Sequence, residues 1–286
     1  MDSAVLTPRP CQGEATFYPL TLLPFMSDLA SDQRYGSTSV CCPRCHPGSS
    51  AHSSQCWKCP IPDENAMCQT WTTRSTFRGL YAPLRREAYF PVPKVHSAFV
   101  HNGSTYILMD RIDGKMLTCG WSSRSAESKT KILTELKRMV DELRSLPPPS
   151  QRISDVNGGP LYDGRFPRSS FAGPFNTIHD FHFYLRDGVQ APPDHIPAIV
   201  RMISLQDRPW PMPVFTHGDL SSLNILVRGD DVVGIINRES AGWYPSYWEY
   251  SMALHGHPWN VLWKEEVNKF LDATPEEVEI ETTRHR

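Results

Sequence analysis

Regular spacing of hydrophobic and polar positions is confined to the part of the chain that follows residue 90. In the segment PVPKVHSAFVHNGSTYILM, two apolar runs flank Asn102 and Gly103. This dipeptide adopts positive φ at low cost, so it favours a tight turn between antiparallel strands. We therefore predict a β-hairpin that leads into the connector DRIDG.

A second pattern has the period of an α-helix. In AESKTKILTELKRMVDELRSLPPP, apolar residues recur every three or four positions, and the proline run from Pro147 ends the pattern. The predicted buried face of this helix consists of Ile132, Leu133, Leu136, Met139, Val140, Leu143 and Leu146.

The remaining patterned segments are shorter. Residues 151–195 contain many Gly, Pro and aromatic positions and predict loops around a short helix, whereas HIPAIVRMISL predicts another helix. NILV and VVGII predict two strands joined by the turn RGDD. A hairpin followed by a helix-rich part indicates an α+β fold with two lobes, and the absence of a fixed-period repeat argues against a solenoid or propeller.

Composition narrows the function classes. With 29 basic and 31 acidic residues, the chain has no broad charge that would favour nucleic acid or an anionic membrane. The early apolar run FYPLTLLPFM is short and broken by prolines, so we expect neither a membrane span nor a signal peptide. Seven of the eight cysteines precede residue 70, which favours reduced thiols and a cytoplasmic location over a disulfide framework.

The candidate chemistry lies in FTHGDLSSLNILVRGDDVVGIINRESAGWYP. Asp219 precedes Asn224 by five positions, and the predicted strand pair carries Asn237 back toward Asp219. Phosphoryl transfer needs a carboxylate that orients the attacking hydroxyl and oxygen ligands for magnesium. We therefore predict Asp219 as the catalytic base or orienter, with Asn224 and Asn237 as magnesium ligands. The string matches the kinase loop H-R-D-L-x-x-x-N, with Gly218 at the arginine position.

These motifs resemble the aminoglycoside phosphotransferase and choline kinase group, which has a protein-kinase-like fold. The resemblance covers roughly residues 91–272 and includes HGDLSSLN, the GII-x-x-E segment and AGWYPSYWEY, with PVPKV and TYILMDRIDG as weaker matches. It implies ATP and Mg²⁺ as cofactors and a small-molecule substrate with a hydroxyl group. It also implies that the adenine meets a hinge formed by Met109, Asp110, Arg111 and Ile112.

The resemblance also suggests a domain division. Residues 91–286 form the phosphotransferase-like domain, with hairpin and hinge at 91–114 and a helix-rich C-terminal lobe at 115–286. Residues 1–90 are rich in Ser, Pro and Cys and have little periodicity, so they are predicted as a poorly patterned region or a degenerate β-containing N-terminal lobe.

One departure from the family pattern bears directly on activity. Family members usually end the hairpin in a pattern resembling I-I-D-W-E, whereas this chain has Asn237 and Arg238 before Glu239. Asparagine keeps an oxygen ligand but loses the charge, so weaker metal binding and slower transfer are expected. Glu239 is not expected to replace the aspartate, because residues two apart on a strand lie about 6–7 Å apart. Two functions remain open: an ATP-dependent small-molecule O-phosphotransferase, or a catalytically inactive pseudokinase that acts as a binding module.

The N-terminal region leaves three interpretations open. It has no G-x-G-x-x-G loop, but GSSAHSSQCWKCPIPDENAM offers Lys58 for the phosphates and Glu64 as its partner, although prolines interrupt this segment. Two C-x-x-C pairs alternatively suggest a zinc site at Cys42, Cys45, Cys56 and Cys59. The third interpretation is a disordered region or a locally wrong coding sequence.

Two further groups have competing interpretations. The His179 and His182 pair has helical spacing and could ligate a metal, but without a third ligand nearby it favours a packing or surface role. An aromatic cluster could line a pocket for a cation, but it favours core packing beneath the loop. Its members are Trp243, Tyr244, Tyr247, Trp248 and Tyr250.

Overall fold

The computed structural model describes residues 66–71, 91–101, 104–190, 196–255 and 261–284. The chain divides into two compact units, one of which includes Phe99–Arg111 and the other Ile112 onward. Most of residues 1–90 lies outside the described part, so the predicted domain assignment stays a prediction.

The first unit contains most of a three-stranded sheet. Its strands are β1 (Ala66–Trp71), β2 (Val95–His101) and β3 (Ser104–Asp110), in the order β1-β3-β2. Strand β1 pairs antiparallel with β3. The strands expected on either side of residues 102–103 are present as neighbours, while the turn itself lies outside the described residues.

The long helix predicted from periodicity is confirmed. This helix, α1, spans Ala126–Arg144. It follows β4 (Lys115–Met116) and a 3₁₀ turn (Trp121–Ser123). The Ser125 side chain caps its first turn by accepting the N–H of Ser128. Six of the seven predicted apolar residues are buried, and Leu146 lies beyond the end of the helix.

The remaining elements are short. They are β5 (Ser154–Asp155), β6 (Leu161–Tyr162), β7 (Phe171–Ala172), α2 (Ile178–Leu185), α3 (Pro197–Asp207), β8 (Val214–Thr216), β9 (Ile225–Arg228), β10 (Asp231–Ile235), β11 (Gly242–Tyr244), α4 (Trp248–His255), α5 (Val261–Val267) and α6 (Pro275–Arg284). Their sheets have the orders β4-β9-β10, β5-β11-β8 and β6-β7. The predicted hairpin of NILV and VVGII is the antiparallel pair β9 and β10. None of the helices in these described ranges combines the length and the apolar character needed to cross a membrane.

Aromatic residues form the core around helices α2 and α4. Tyr244 and Trp248 stack with an interplanar angle of 6°. Phe181 packs edge-on against both rings. All five members of the predicted aromatic cluster are buried, so their role is packing and not the lining of an open cation pocket.

The two histidines of α2 have different surroundings. His182 is buried between the carbonyl oxygen of Gln206 and the hydroxyl of Tyr247, each 3.0 Å from a ring nitrogen. Burial lowers the pKa of His182 to about 3, so this ring is neutral and structural. His179 is exposed and lies beside Asp207. The expected packing and surface roles are therefore confirmed for this pair.

Replacing Phe181 by alanine should destabilise the second unit. The ring is fully buried and contacts five other rings, so its removal should leave a cavity and lower the free energy of unfolding by about 3–5 kcal/mol. Equilibrium urea unfolding provides the measurement. Phe171→Ala is the matched control, because Phe171 is 38% exposed and should lose about 1 kcal/mol or less. Equal losses for the two variants would contradict this description of the core.

Candidate active site

The three residues predicted to carry the chemistry come together at the ends of β8, β9 and β10. The side-chain nitrogen of Asn224 donates to the carboxylate Oδ2 of Asp219 at 2.7 Å and to its backbone oxygen at 2.9 Å. The side-chain nitrogen of Asn237 donates to the same Oδ2 at 3.3 Å. Both asparagines are buried and Asp219 is half-buried. One carboxylate oxygen is therefore held between two amides.

The backbone at Asn237 differs from the expectation of a continuous strand. Strand β10 ends at Ile235, and Asn237 has φ 67° in the left-handed region. Asparagine tolerates this conformation better than most residues with a side chain. The strand-like geometry used to set Glu239 apart is thus wrong at this position, because the chain turns sharply between Ile235 and Glu239.

Glu239 is partly buried and lies close to the carboxylates of Asp219 and Asp163. Burial, followed by the negative charges of Asp219 and Asp163, raises the pKa of Glu239 to about 8, and Arg165 opposes the shift. Much of Glu239 is therefore protonated at neutral pH.

His217 links the H-G-D loop at residues 217–219 to the end of β10. Its Nδ1 accepts the backbone N–H of Asp219 at 3.2 Å, which leaves Nε2 to donate to the carbonyl oxygen of Ile236 at 3.1 Å. Burial, followed by the positive charge of Arg238, lowers the pKa of His217 to about 3. The ring is therefore neutral at physiological pH and holds the loop instead of transferring protons.

The backbone at position 218 requires glycine where the kinase pattern has arginine. Its φ is 82°, and an added Cβ would lie 2.7 Å from the carbonyl oxygen of Ser240. The buried carboxylate of Glu249 accepts the backbone N–H of His217 at 2.5 Å and that of Gly218 at 3.1 Å. Burial raises the pKa of Glu249 to about 7. The loop is thus fixed by a carboxylate from α4 that lies within a buried aromatic segment.

An arginine and an aspartate from the loop after β6 complete the surroundings of Asp219. The Nε and Nη2 atoms of Arg165 donate to the two carboxylate oxygens of Asp163 at 2.6 and 2.7 Å. Nη2 also donates to the carbonyl oxygen of Gly218 at 2.7 Å. Sequence reasoning did not identify Asp163, Arg165 or Glu249 as site residues. Their nearest signal is the presence of charged residues within otherwise aromatic or Gly-rich segments.

The residues around Asp219 suit a hard divalent cation. Asn237 Oδ1 is buried and has no hydrogen-bond partner among the described residues. Together with the Asp219 carboxylate and the amide oxygen of Asn224, it provides an oxygen donor set of the kind that Mg²⁺ prefers. In the same part of the chain, no three His, Cys, Asp or Glu side chains form a metal-binding group. A magnesium site here therefore depends on the two amides.

Several predicted site residues cannot be placed in this geometry. Lys58 and Glu64 lie outside the described residues, as do the four cysteines of the zinc alternative, Cys42, Cys45, Cys56 and Cys59. Of the predicted hinge, Met109 is buried, Asp110 ends β3 and Arg111 is exposed. Ile112 contacts the Gly234 backbone, where an added Cβ would lie 2.4 Å from Ile112 Cδ1. Their role at the adenine stays a prediction.

In comparisons with known proteins, the chain matches a phosphotransferase family and a curated phosphotransferase. A family model described as APH, phosphotransferase enzyme family, matches residues 74–279. An aminoglycoside 3'-phosphotransferase from Niallia circulans is 26% identical over 165 residues, 57% of this chain. The chain spans 58% of the length of that relative.

Solved structures show the same fold. Aminoglycoside phosphotransferase APH(4)-Ia matches with a TM-score of 0.55 and 16% identity, covering 77% of this chain and 75% of that chain. A thermostable mutant of the same enzyme, in a ternary complex with ADP and hygromycin B, matches with a TM-score of 0.53 and 15% identity, covering 77% and 76%. The predicted α+β, protein-kinase-like fold class is confirmed.

The two hydrogen bonds that Glu249 accepts from His217 and Gly218 lead to a prediction about how stability depends on pH. Since burial raises the pKa of Glu249 from 4.5 to about 7, the folded state binds the proton more tightly than the unfolded state. Its contribution to stability is present below about pH 4.5 and is lost as the pH rises through about 7. The unfolding free energy of the wild type minus that of Glu249→Gln should fall by roughly 1–3 kcal/mol between acidic and alkaline pH. Urea unfolding at pH 5 and pH 8 checks this, and a pH-independent difference would contradict the raised pKa.

Proposed function

Because the chain belongs to the phosphotransferase enzyme family, we propose that it transfers the γ-phosphate of ATP to a hydroxyl group of a small molecule. The observation that carries this proposal is the Asp219 carboxylate held by Asn224 and Asn237 within the H-G-D loop. An aminoglycoside is the first acceptor to test, since the curated relative is an aminoglycoside 3'-phosphotransferase. The proposed location is the cytoplasm, in accord with the cysteine distribution.

The geometry of the loop supports the following proposed roles. Asp219 Oδ2 accepts two amide donors, and the Asp219 carboxylate would accept the hydrogen bond of the attacking hydroxyl and receive its proton. Asn224 and Asn237 would hold Mg²⁺ through their amide oxygens. When bound, Mg²⁺ supplies charge neutralisation at the β- and γ-phosphates. Neutral His217 and buried Glu249 keep the loop in place and exchange no proton with the substrate.

A second candidate function rests on Asn237. An amide brings no negative charge to the metal, which lowers its hold on magnesium relative to the family aspartate. If the loss is large, the protein binds its ligands without transferring phosphate and acts as a pseudokinase. Turnover measured on the wild type and on Asn237→Asp separates the two candidates.

Replacing Asp219 by asparagine should reduce phosphate transfer from ATP to hygromycin B at least about 100-fold, because the hydroxyl loses its proton acceptor. Transfer is followed by ³¹P NMR or by ADP release. The thermal transition should stay within a few degrees of the wild type. Asp272→Asn is the matched control, since the Asp272 side chain is 72% exposed and its variant should turn over normally. Unchanged turnover in Asp219→Asn would remove this carboxylate from the mechanism.

Replacing Asn237 by aspartate should make stability depend on metal. In this variant a carboxylate oxygen replaces the amide nitrogen that donates to Asp219 at 3.3 Å. The two carboxylates therefore repel each other when no cation is present. The melting temperature of Asn237→Asp should therefore fall by a few degrees in chelator and rise with Mg²⁺ more than that of the wild type. Turnover at limiting Mg²⁺ should also increase.

The exposed Asn157 supplies the control for this substitution. Asn157→Asp introduces the same charge at an exposed position after β5 and should leave the response to Mg²⁺ unchanged. Identical responses of the two variants would show that Asn237 does not face the metal.

A further inference from the structure

The loop that follows β6 delivers a rigidly held guanidinium to the catalytic loop. Asp163 is 1% exposed and accepts both forked donors of Arg165. Its Oδ1 also accepts the backbone N–H of Arg165 at 2.9 Å. The backbone N–H of Asp163 donates to Ser170 at 2.8 Å. Two parallel bonds to a buried carboxylate restrict both the position and the plane of the guanidinium.

The third contact of this guanidinium is with the peptide bond that precedes Asp219. Nη2 of Arg165 donates to the carbonyl oxygen of Gly218, while the N–H of the same peptide donates to His217 Nδ1. The Gly218–Asp219 peptide plane is therefore fixed at both of its polar atoms. Because Gly218 has φ 82° and no side chain, these contacts and those of Glu249 help to define its orientation.

Arg165 also brings a permanent positive charge to this region. Burial alone would lower the pKa of its guanidinium, but the negative charges of Asp163 and then Asp219 outweigh burial and raise the pKa above the ordinary value. In the kinase loop pattern an arginine directly precedes the catalytic aspartate, and here that position is Gly218. A guanidinium from a different loop, about fifty positions earlier, thus lies beside the same peptide.

We propose that Arg165 is a positioning residue for phosphoryl transfer, anchored by Asp163, which orients Asp219 through the Gly218 carbonyl. The inference rests on the proposed function. Lysine cannot replace this arginine, because one ammonium cannot reproduce the planar fork on Asp163 together with the bond to Gly218. A displaced Asp219 would no longer meet the attacking hydroxyl at hydrogen-bond distance, while the residues predicted to contact ATP would be untouched.

The test compares Arg165→Lys, Arg165→Ala and Asp163→Asn with the control Arg168→Ala. Arg168 lies on the same loop, and its ion pair with Asp187 is exposed. With ATP and hygromycin B, or water as acceptor, the first three variants should lose about 10- to 100-fold in kcat and change the KM for ATP by less than about threefold. Arg168→Ala should stay within about twofold of the wild type.

Rescue by added guanidinium ion separates positioning from general loss of structure. Low concentrations of the ion should restore kcat at least about fivefold in Arg165→Ala, because it fits the vacated site between Asp163 and Gly218, and should not activate the wild type. Should Arg165→Ala fail to fold, Arg165→Lys and Asp163→Asn carry the comparison. Turnover of folded Arg165 variants within twofold of the wild type, or a loss in kcat that guanidinium does not relieve, would overturn the proposal.

Hydrogen exchange distinguishes this failure from failure of the proposed function. In the protein without ligand, amides of residues 215–224 should exchange faster in Arg165→Lys and Asp163→Asn than in the wild type or Arg168→Ala. A wild type that transfers phosphate to neither acceptor contradicts the proposed function. Exchange that is unchanged in both variants contradicts the role of Arg165, whatever the turnover of the wild type.

Discussion

The H-G-D loop at residues 217–219 depends on a buried carboxylate that accepts hydrogen bonds from two backbone N–H groups. Glu249 accepts the N–H groups of His217 and Gly218, which would otherwise be left without partners in a buried segment. It can do so because α4 is packed into the aromatic core through Trp248 and Met252. The placement of Asp219 therefore depends on the folding of the core. The burial that positions Glu249 also disfavours its ionised form.

Repulsion among the carboxylates near Asp219 is a second constraint on this site. Asp163 and Glu239 act on the same region, and Arg165 is the cation that the structure places against Asp163 and the loop. An amide at Asn237 reduces the repulsion that a further carboxylate would add when no metal is bound. The same substitution lowers the charge available to hold magnesium. Under the proposed function, Asn237 would lower the affinity for magnesium and would reduce the repulsion in the metal-free protein.

The elements of the fold that depend on local pattern were predictable from the sequence. Helix α1 follows from the three-to-four residue spacing of its apolar positions, and the β9–β10 hairpin follows from the turn residues between two apolar runs. Asp219, Asn224 and Asn237 meet because this hairpin folds the chain back on itself. The left-handed backbone at Asn237 was missed because the preceding apolar run suggests a continuing strand.

Asp163, Arg165 and Glu249 were not predictable in this way. Asp163 and Arg165 lie in a Gly-rich loop without periodicity, and Arg165 contacts a carbonyl more than fifty positions away. Glu249 lies in a short helix whose aromatic neighbours indicate core packing, and its partners are backbone N–H groups about thirty positions earlier. Such contacts arise from tertiary packing, for which neither spacing nor propensity carries a signal.

Calorimetric titration of ATP into the full chain, with Mg²⁺ and then with chelator, tests most directly whether this is a phosphotransferase site. A site built on Asp219, Asn224 and Asn237 should bind ATP measurably with Mg²⁺ and at least about tenfold more weakly without it, because the oxygen donors hold the nucleotide through the metal. Equal affinity in the two conditions, or no binding in either, would contradict magnesium-dependent phosphoryl transfer at this site.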